Sequence, residues 1–235
     1  MKIKYQHIKQ IDSTNSFAKR ELSKLSKECW TAISADTQLM GRGQSGSVWI
    51  DNPGDSLLMT IISPVVKLSS DEIMKIHMTS SLAIKDFLSN RKVNVKLKWP
   101  NDIYMGTQKI AGILSEANWK AGFCNRFFLG FGINVRSAPF GSAFMGHNFD
   151  PISLRKPIAI KIITQLNSLN LNTLSEYEQS LFHWNIKCVW QDIVTQRFFE
   201  AKTTAIFQDG RMQLTFQSGE KRIVANGEVK WISLS

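Results

Sequence analysis

The chain has 235 residues and a mass of 26.7 kDa, and 43% of the residues are apolar, 20% charged and 10% aromatic. This composition excludes collagen-like and disordered proteins, and the length suits one large domain with a smaller one. The formal net charge of +10 suits an anionic partner, such as nucleic acid, a phosphate-bearing ligand or an acidic protein. Three cysteines without CxxC spacing favour reduced thiols over a disulfide framework or a structural zinc site.

Strands, turns and helices alternate in the first part of the sequence. We predict strands over 1–11, 30–35 and 56–63, and a helix after a polar capping turn at 12–15. Residues 71–90 form the clearest predicted helix, because apolar side chains recur at helical spacing behind an acidic pair. No apolar run approaches the roughly 20 residues of a membrane helix, and no signal peptide is evident, so we expect a soluble, cytoplasmic protein with no membrane partner.

The next segments also mix strands and helices. A strand over 95–99 ends at a proline, and a hairpin follows from the segments 103–105 and 108–117. A further apolar strand covers 127–135, and 157–184 has the pattern of two helical stretches. Because the order shows no regular βαβ alternation, the sequence predicts an α+β fold for this large domain.

After about residue 184 the pattern changes to three short predicted strands separated by turn signals. Asp-Gly and Asn-Gly are strong hairpin signals, since both central positions need positive φ. The separating pairs are Asp209-Gly210, Ser218-Gly219 and Asn226-Gly227. We therefore expect domain 1–184 to be followed by a small SH3-like β-barrel over 185–235.

Two segments contain residues suited to chemistry. In the loop 41–49, three glycines can let backbone N–H groups approach carboxylate or phosphate oxygens, although such a loop can also be a plain turn. In the second segment, the strand end at Pro100 puts Asn101 and Asp102 at one mouth, and the hairpin returns Lys109 toward it. An amide, a carboxylate and an ammonium group that converge there could bind a metal-bound nucleotide.

Five motifs together resemble those of the biotin protein ligases. They are ST-N at 13–15, GRGxxGxxW at 41–49, KWPNDI at 98–103 followed by Lys109 and Gly112, GFGINV at 130–135, and GEV at 227–229. The resemblance covers nearly the whole chain and implies a mixed-sheet catalytic domain like that of class II aminoacyl-tRNA synthetases and lipoate ligases. The lipoate ligases have an Arg-Arg and triple-glycine motif where this chain has its glycine-rich loop.

The resemblance also implies roles for individual residues. Those expected to bind biotin are Ser13, Thr14, Asn15, Gln38, Gly41, Arg42, Gly43, Gln44, Lys109, Gly112, Ile113, Gly130 and Gly132, with Leu114 beside them. Those expected to bind ATP or the adenylate are Arg42, Trp49, Asn101, Lys109 and Asn134. The expected catalytic residues are Lys109, Arg42 and Asp102, and Asp102 is also a candidate magnesium ligand.

The activity implied by the resemblance is a two-step ligation that uses biotin, ATP and Mg²⁺. Biotin is activated to biotinyl-5′-adenylate and then passes to a lysine of a biotin carboxyl carrier domain of a biotin-dependent carboxylase. The alternatives are a lipoate or octanoate ligase of the same superfamily and, from another class, a basic nucleic-acid-binding protein. The chain is expected to act as a monomer or homodimer.

DNA binding is not expected. A helix-turn-helix domain needs on the order of 50–60 residues ahead of the first motif, and the twelve residues before Ser13 resemble a strand. The C-terminal segment has seven basic and five acidic residues and no basic-aromatic stripe.

The glycine-rich loop departs from the family pattern. Many relatives have arginines in this loop, whereas this chain keeps Arg42 and has Gln44, Ser45 and Ser47 at the other three positions. Fewer cations face the phosphate, so we expect the adenylate to leave faster than in arginine-rich relatives.

Overall fold

The computed structural model describes residues 2–168 and 172–232. It contains two β-sheets, which are formed by successive parts of the chain. The strands of the first sheet are β1 (Ile3–Ile11), β2 (Trp30–Gln38), β3 (Ser56–Ile62), β4 (Lys96–Lys98), β5 (Asp102–Met105), β6 (Gln108–Lys120) and β7 (Phe123–Asn134). Those of the second are β8 (Lys187–Asp192), β9 (Phe198–Ile206), β10 (Met212–Thr215), β11 (Lys221–Val224) and β12 (Val229–Ile232).

The first sheet has the order β1-β2-β3-β7-β6-β5-β4. The pair β1–β2 is parallel and the other pairs are antiparallel, so the sheet is mixed, as expected for the α+β class. The predicted hairpin is confirmed, because β5 and β6 pair across the turn at 106–107. Met1, where the first predicted strand began, lies outside the described residues.

Among the described residues, three α-helices pack on the first sheet: α1 (Thr14–Arg20), α2 (Ser70–Ser89) and α3 (Pro151–Asn167). A further helix, α4 (Thr173–Gln179), packs on α2 and β9. A capping box of Ser69 and Glu72 begins α2 one residue before the predicted start. Helix α3 begins six residues earlier than predicted, because the Asp150 side chain accepts a hydrogen bond from Ser153 N and Pro151 suits the first helical position. Within the described part of the chain, no helix is long and apolar enough to cross a bilayer.

The helices divide between the two faces of the first sheet. On one face, α3 packs on β3 and α2 packs on β7, and side chains such as Leu57 and Met59 belong to the main core formed there. On the other face, α1 places Ala18 against Phe128 in a small second cluster. Side chains alternate between the faces of a strand, so Gly130 and Gly132 of β7 face the α1 side together with Phe128. Because glycine has no side chain, the α1 side of the sheet is less filled by side chains of β7 at these two positions.

The C-terminal sheet has five strands, in the order β11-β10-β9-β8-β12, and the prediction of three was wrong. The turn between β8 and β9 contains no glycine. Instead, the Asp192 side chain accepts hydrogen bonds from the backbone of Val194 and Thr195, and Gln196 adopts a φ of 58°. Strand β12 pairs with β8 and not with the preceding β11, so the Asn226-Gly227 turn does not join paired strands. The domain boundary after residue 184 stays a prediction.

Candidate active site

A pocket lies on the α1 face of the first sheet, where neighbouring strands have glycines. Gly112 of β6 pairs with Gly132 of β7, and Gly130 lies two residues away on the same face. A β-carbon at Gly130 would overlap Asn15 Oδ1, and one at Gly132 would come within 2.5 Å of the Trp49 ring. Only glycine permits both side chains to approach the sheet so closely.

A hydrogen-bonded polar cluster lines one side of this pocket. The backbone N–H and the hydroxyl of Thr14 donate to Gln38 Oε1 at 2.7 and 3.0 Å. The Thr60 hydroxyl lies 2.8 Å from that of Thr14 and also contacts Asn15 Oδ1. Because Gln38 Oε1 accepts both hydrogen bonds from Thr14, the orientation of the Gln38 amide is determined.

The Trp49 side chain covers the glycine floor. Lys109 Nζ lies 5.6 Å from the centroid of its ring, and Trp49 Nε1 is buried without a hydrogen-bond partner in the described part of the chain. The cavity that remains has a volume of about 60 Å³. Ligand pockets usually have about 300–1,000 Å³. A ligand of ordinary size therefore enters only when Trp49 or the loop that bears it moves.

Lysine side chains hold the carboxylate at the end of the KWPND motif. Lys109 Nζ lies 2.6 Å from Asp102 Oδ1, and Lys98 Nζ lies 4.0 Å from the other oxygen. Burial lowers the pKa of Lys98, and the charge of Asp102 partly opposes this effect. Asp102 thus orients Lys109 at the edge of the pocket.

A second carboxylate, Glu116, holds the cation of the glycine-rich loop. Arg42 Nη2 lies 3.1 Å and Lys19 Nζ 2.7 Å from Glu116 Oε1. Burial by itself would raise the pKa of Glu116, but hydrogen bonds from Lys19 and Asn15 hold it below its ordinary value. Glu116 is therefore an ionised anchor for Arg42.

Buried polar side chains support the turn that precedes Asn101. His77 Nε2 donates to the Pro100 carbonyl at 2.9 Å, and its Nδ1 accepts from the Ser115 hydroxyl at 2.9 Å. The Tyr177 hydroxyl donates to the same carbonyl at 3.0 Å. Burial lowers the pKa of His77, which favours the neutral ring that this pattern of one donor and one acceptor requires.

The structure brings most of the predicted site residues to one pocket. They are Ser13, Thr14, Asn15, Gln38, Arg42, Gly43, Gln44, Trp49, Asn101, Lys109, Gly112, Ile113, Leu114, Gly130 and Gly132. Three predicted residues do not line it. Gly41 accepts a backbone hydrogen bond that closes the glycine-rich loop, Asp102 pairs with Lys109, and Asn134 is buried with its amide bound to the Ala143 carbonyl at 3.0 Å.

Sequence reasoning missed Glu116 and Thr60. Both could have been found from strand alternation, since Glu116 follows Gly112 at even spacing on β6 and Thr60 pairs with Gly130 across β3 and β7. Neither residue belongs to one of the five motifs that resemble those of the biotin protein ligases. Ser47, Val48 and Phe131 also line the pocket.

Comparison with known proteins agrees with this arrangement. The family model described as the biotin/lipoate A/B protein ligase family matches residues 7–134, more than half of the chain. The chain belongs to this family. The match covers every pocket-lining residue named above, whereas the C-terminal sheet lies outside it.

Two curated members of the biotin/lipoate A/B protein ligase family illustrate how far the similarity extends. The bifunctional ligase/repressor BirA of Escherichia coli K12 is 31% identical over 133 residues, which are 53% of this chain and 38% of that protein. The biotin–[acetyl-CoA-carboxylase] ligase of Paracoccus denitrificans is 27% identical over 147 residues, which are 61% of this chain and 60% of that protein. The matches thus span between 38% and 60% of these relatives' lengths.

Solved structures extend the similarity to the whole fold. The biotin protein ligase of Aquifex aeolicus in complex with biotin and ATP superposes with a TM-score of 0.74 at 19% identity, covering 97% of this chain and 98% of that one. A biotin protein ligase-like protein of unknown function from Silicibacter superposes with a TM-score of 0.62 at 10% identity. The superposition covers 95% of this chain and 94% of that one. The two-sheet architecture, including the C-terminal sheet, is therefore shared with these solved structures.

Proposed function

We propose that the protein is an ATP-dependent biotin protein ligase. In the first step, a biotin carboxylate oxygen attacks the α-phosphorus of ATP, giving biotinyl-5′-adenylate and pyrophosphate. In the second, the amine of an acceptor lysine attacks the acyl carbon, forming an amide and releasing AMP and a proton. The observation that carries this proposal is the convergence of the motif residues, which are distant in sequence, on one pocket.

The polar cluster suits the ring of biotin. A cyclic urea presents one carbonyl acceptor and two N–H donors, and the side chains of Ser13, Thr14 and Gln38 offer donors and acceptors in a small space. The glycine floor of β6 and β7 suits the apolar chain of the ligand, because it leaves a flat surface on the sheet. Trp49, which now covers that floor, would pack against the bound ligand after moving.

Lys109 and Arg42 suit the activation step. Two anions, the carboxylate and the α-phosphate, must approach one another, and cations beside them lower the energy of the pentacovalent phosphorus. Both cations are held in the structure by carboxylates, Lys109 by Asp102 and Arg42 by Glu116. Substrate binding would exchange part of these ion pairs for charged hydrogen bonds to the ligand.

Magnesium would arrive with ATP. In the described ranges 2–168 and 172–232, no cluster of three or more His, Cys, Asp or Glu side chains offers a preformed metal site. Magnesium in nucleotide sites is commonly held by substrate phosphates and one or two carboxylates. Asp102 could supply one such carboxylate only by giving up part of its contact with Lys109.

The acceptor we propose is a lysine of a biotin carboxyl carrier domain, as the name of the Paracoccus relative suggests. This lysine must be neutral to attack, and we propose that Asp102, which is paired with Lys109 beside the pocket, accepts its proton. No enzyme nucleophile is needed, because the adenylate is itself an activated acyl group.

The experiment is exchange of labelled pyrophosphate into ATP, with biotin, lipoate or octanoate as the acid. Exchange that depends on biotin and proceeds with neither other acid is the expected result. Exchange driven by lipoate or octanoate instead would assign the protein to the other branch of its family. No exchange with any acid, together with tight binding to nucleic acid, would favour the nucleic-acid-binding alternative.

A further inference from the structure

A side chain of the C-terminal domain contacts the glycine-rich loop. Asn226, in the turn between β11 and β12, donates from Nδ2 to Gln44 Oε1 at 3.0 Å, across 182 positions of sequence. Gln44 lies in the short 3-10 turn at the tip of the loop and also lines the candidate active site. The second domain therefore reaches the wall of the pocket directly.

The loop is attached at two points to different parts of the molecule. On one side of its tip, Arg42 pairs with Glu116 of β6. At the tip, Gln44 is bound to Asn226, and the Ser47 hydroxyl closes the turn by donating to the Gln44 carbonyl at 2.7 Å. Opening the loop requires breaking both attachments.

The Asn226 anchor is itself well positioned, because the two domains contact one another near it. The Trp99 indole N–H donates to the Gly210 carbonyl at 2.9 Å, and Ile206 N donates to Glu178 Oε1 at 2.8 Å. Gly210 also packs closely on Met74 of α2. These contacts hold the C-terminal sheet against the catalytic domain, so the Asn226 side chain has a defined place.

We propose that Asn226 is a positioning residue that holds the glycine-rich loop closed through Gln44. The cavity of about 60 Å³ is too small for an ordinary ligand, so ligand entry requires Trp49 or the loop that bears it to move. The consequence of the amide–amide bridge between Asn226 and Gln44 for adenylate retention rests on the proposed function, whereas its effect on loop opening does not.

The test is a double-mutant cycle on the full chain, read by hydrogen–deuterium exchange of the loop peptide 41–49 without ligand. Asn226→Ala and Gln44→Ala should each raise the exchange rate of the loop about threefold to fivefold, as expected for one exposed hydrogen bond. The double variant should exchange no faster than either single variant. The exchanged pair Gln44→Asn with Asn226→Gln keeps the combined side-chain length and should restore the slow rate.

The matched control is Gln217→Ala, which removes an exposed amide from another turn of the same domain. It should leave the loop exchange rate at the wild-type value. Equal rates in wild type and Asn226→Ala, additive effects in the double variant, or failure of the exchanged pair to restore protection would overturn the proposal.

A second readout links the bridge to activity. Release of preformed labelled biotinyl-adenylate should accelerate in Asn226→Ala by a factor similar to that of loop exchange, and the exchanged pair should reverse the effect. If the wild-type protein does not bind the adenylate, the proposed function fails while the exchange data still decide the bridge. If it binds the adenylate and Asn226→Ala opens the loop without faster release, the bridge does not retain the adenylate.

Discussion

At the scale of single residues, carboxylates determine where the cations of the pocket lie. Asp102 contacts Lys109 closely and Lys98 at longer range, and Lys98 Nζ in turn lies 3.2 Å from the Tyr104 hydroxyl and 5.7 Å from the centroid of the Trp231 ring. Trp231 belongs to β12, so a line of charged and aromatic contacts joins the pocket to the C-terminal domain. Lys109 is the member of this line that lines the pocket.

The first prediction concerns Lys109. Replacing it by alanine removes a charge-assisted contact to the reacting anions, worth roughly 1.5–3 kcal/mol. We expect Lys109→Ala to slow biotin-dependent pyrophosphate exchange by at least about tenfold. Lys109→Arg should restore only part of the rate, because a planar guanidinium does not replace a compact ammonium beside Asp102.

The control for this prediction is Lys120→Ala, at the exposed end of β6. It should retain the wild-type exchange rate. An exchange rate for Lys109→Ala within threefold of wild type would contradict the role proposed for the lysine.

At the scale of elements, β7 and the glycine-rich loop act together. The strand supplies a floor without side chains, and the loop lays Trp49 on it. The loop is itself a narrow hairpin, in which Gly43 N donates to the Ser47 carbonyl and Trp49 N donates to the Gly41 carbonyl. A substitution at the glycines of β7 should therefore disturb the packing of the loop.

The second prediction tests this contact between strand and loop. A methyl group at Gly132 would overlap the Trp49 ring, and overpacking of this kind costs about 1–3 kcal/mol. We expect Gly132→Ala to lower the free energy of unfolding by that amount in chemical denaturation. In a Trp49→Ala background the same substitution should cost much less, because the overlapping ring is absent. Equal costs in both backgrounds would show that Trp49 does not determine the need for glycine.

The third prediction addresses the scarcity of arginine in the loop. An added cation near the adenylate phosphate contributes about 1 kcal/mol if partly exposed. Ser47→Arg should therefore slow release of preformed biotinyl-adenylate by up to about fivefold, less whatever is lost with the Ser47 hydrogen bond to the Gln44 carbonyl. Gln44→Arg also adds a cation but removes the acceptor of Asn226, so its gain should be smaller. If Ser47→Arg releases the adenylate at the wild-type rate, the backbone and Lys109 hold the loop, and the charge argument fails.

At the scale of the whole molecule, His183 lies between α4 and β8, the first strand of the second sheet in chain order. Its Nδ1 and the Thr203 hydroxyl of β9 are 3.0 Å apart, and its ring packs edge-on against Trp190 of β8 with the centroids 5.1 Å apart. Burial, with a smaller effect from the charge of Lys98, lowers the pKa of His183 to about 4. The folded protein thus holds this ring neutral.

The fourth prediction follows from that pKa. Below pH 6.5 the unfolded chain binds a proton at His183 that the folded protein does not, so the free energy of unfolding should fall as the pH drops toward about 4. The loss attributable to this residue at pH 4 is on the order of 3 kcal/mol, since one pKa unit corresponds to about 1.4 kcal/mol. His183→Gln should flatten part of the decline in denaturation curves recorded between pH 7 and 4. His77 should leave a residual slope, since burial lowers its pKa as well.

The control for the pH experiment is His147→Gln, which replaces an exposed histidine. It should keep the wild-type dependence on pH. An unchanged slope in His183→Gln would show that burial of this ring does not contribute to the acid sensitivity of the fold.

Several sequence predictions succeeded because they depended on neighbouring residues. The α2 helix follows from apolar periodicity and its capping box, and the β5–β6 hairpin follows from a glycine turn between two strands. The turn between β8 and β9 was missed because an aspartate side chain and a left-handed glutamine, rather than glycine, form it. Glu116 was missed because its importance depends on facing Arg42, which lies 74 positions away.

The sequence by itself determined the fold class, most of the strands and helices, and most of the residues that line the pocket. Periodicity, turn chemistry and motif spacing act over a few residues, so they can be recognised without the fold. Only the tertiary structure decided that Asp102 lies outside the pocket lining and pairs with Lys109, that Trp49 covers the glycine floor, and that Asn226 reaches Gln44. These contacts depend on which strands pair and how the two sheets pack, and no local pattern specifies either.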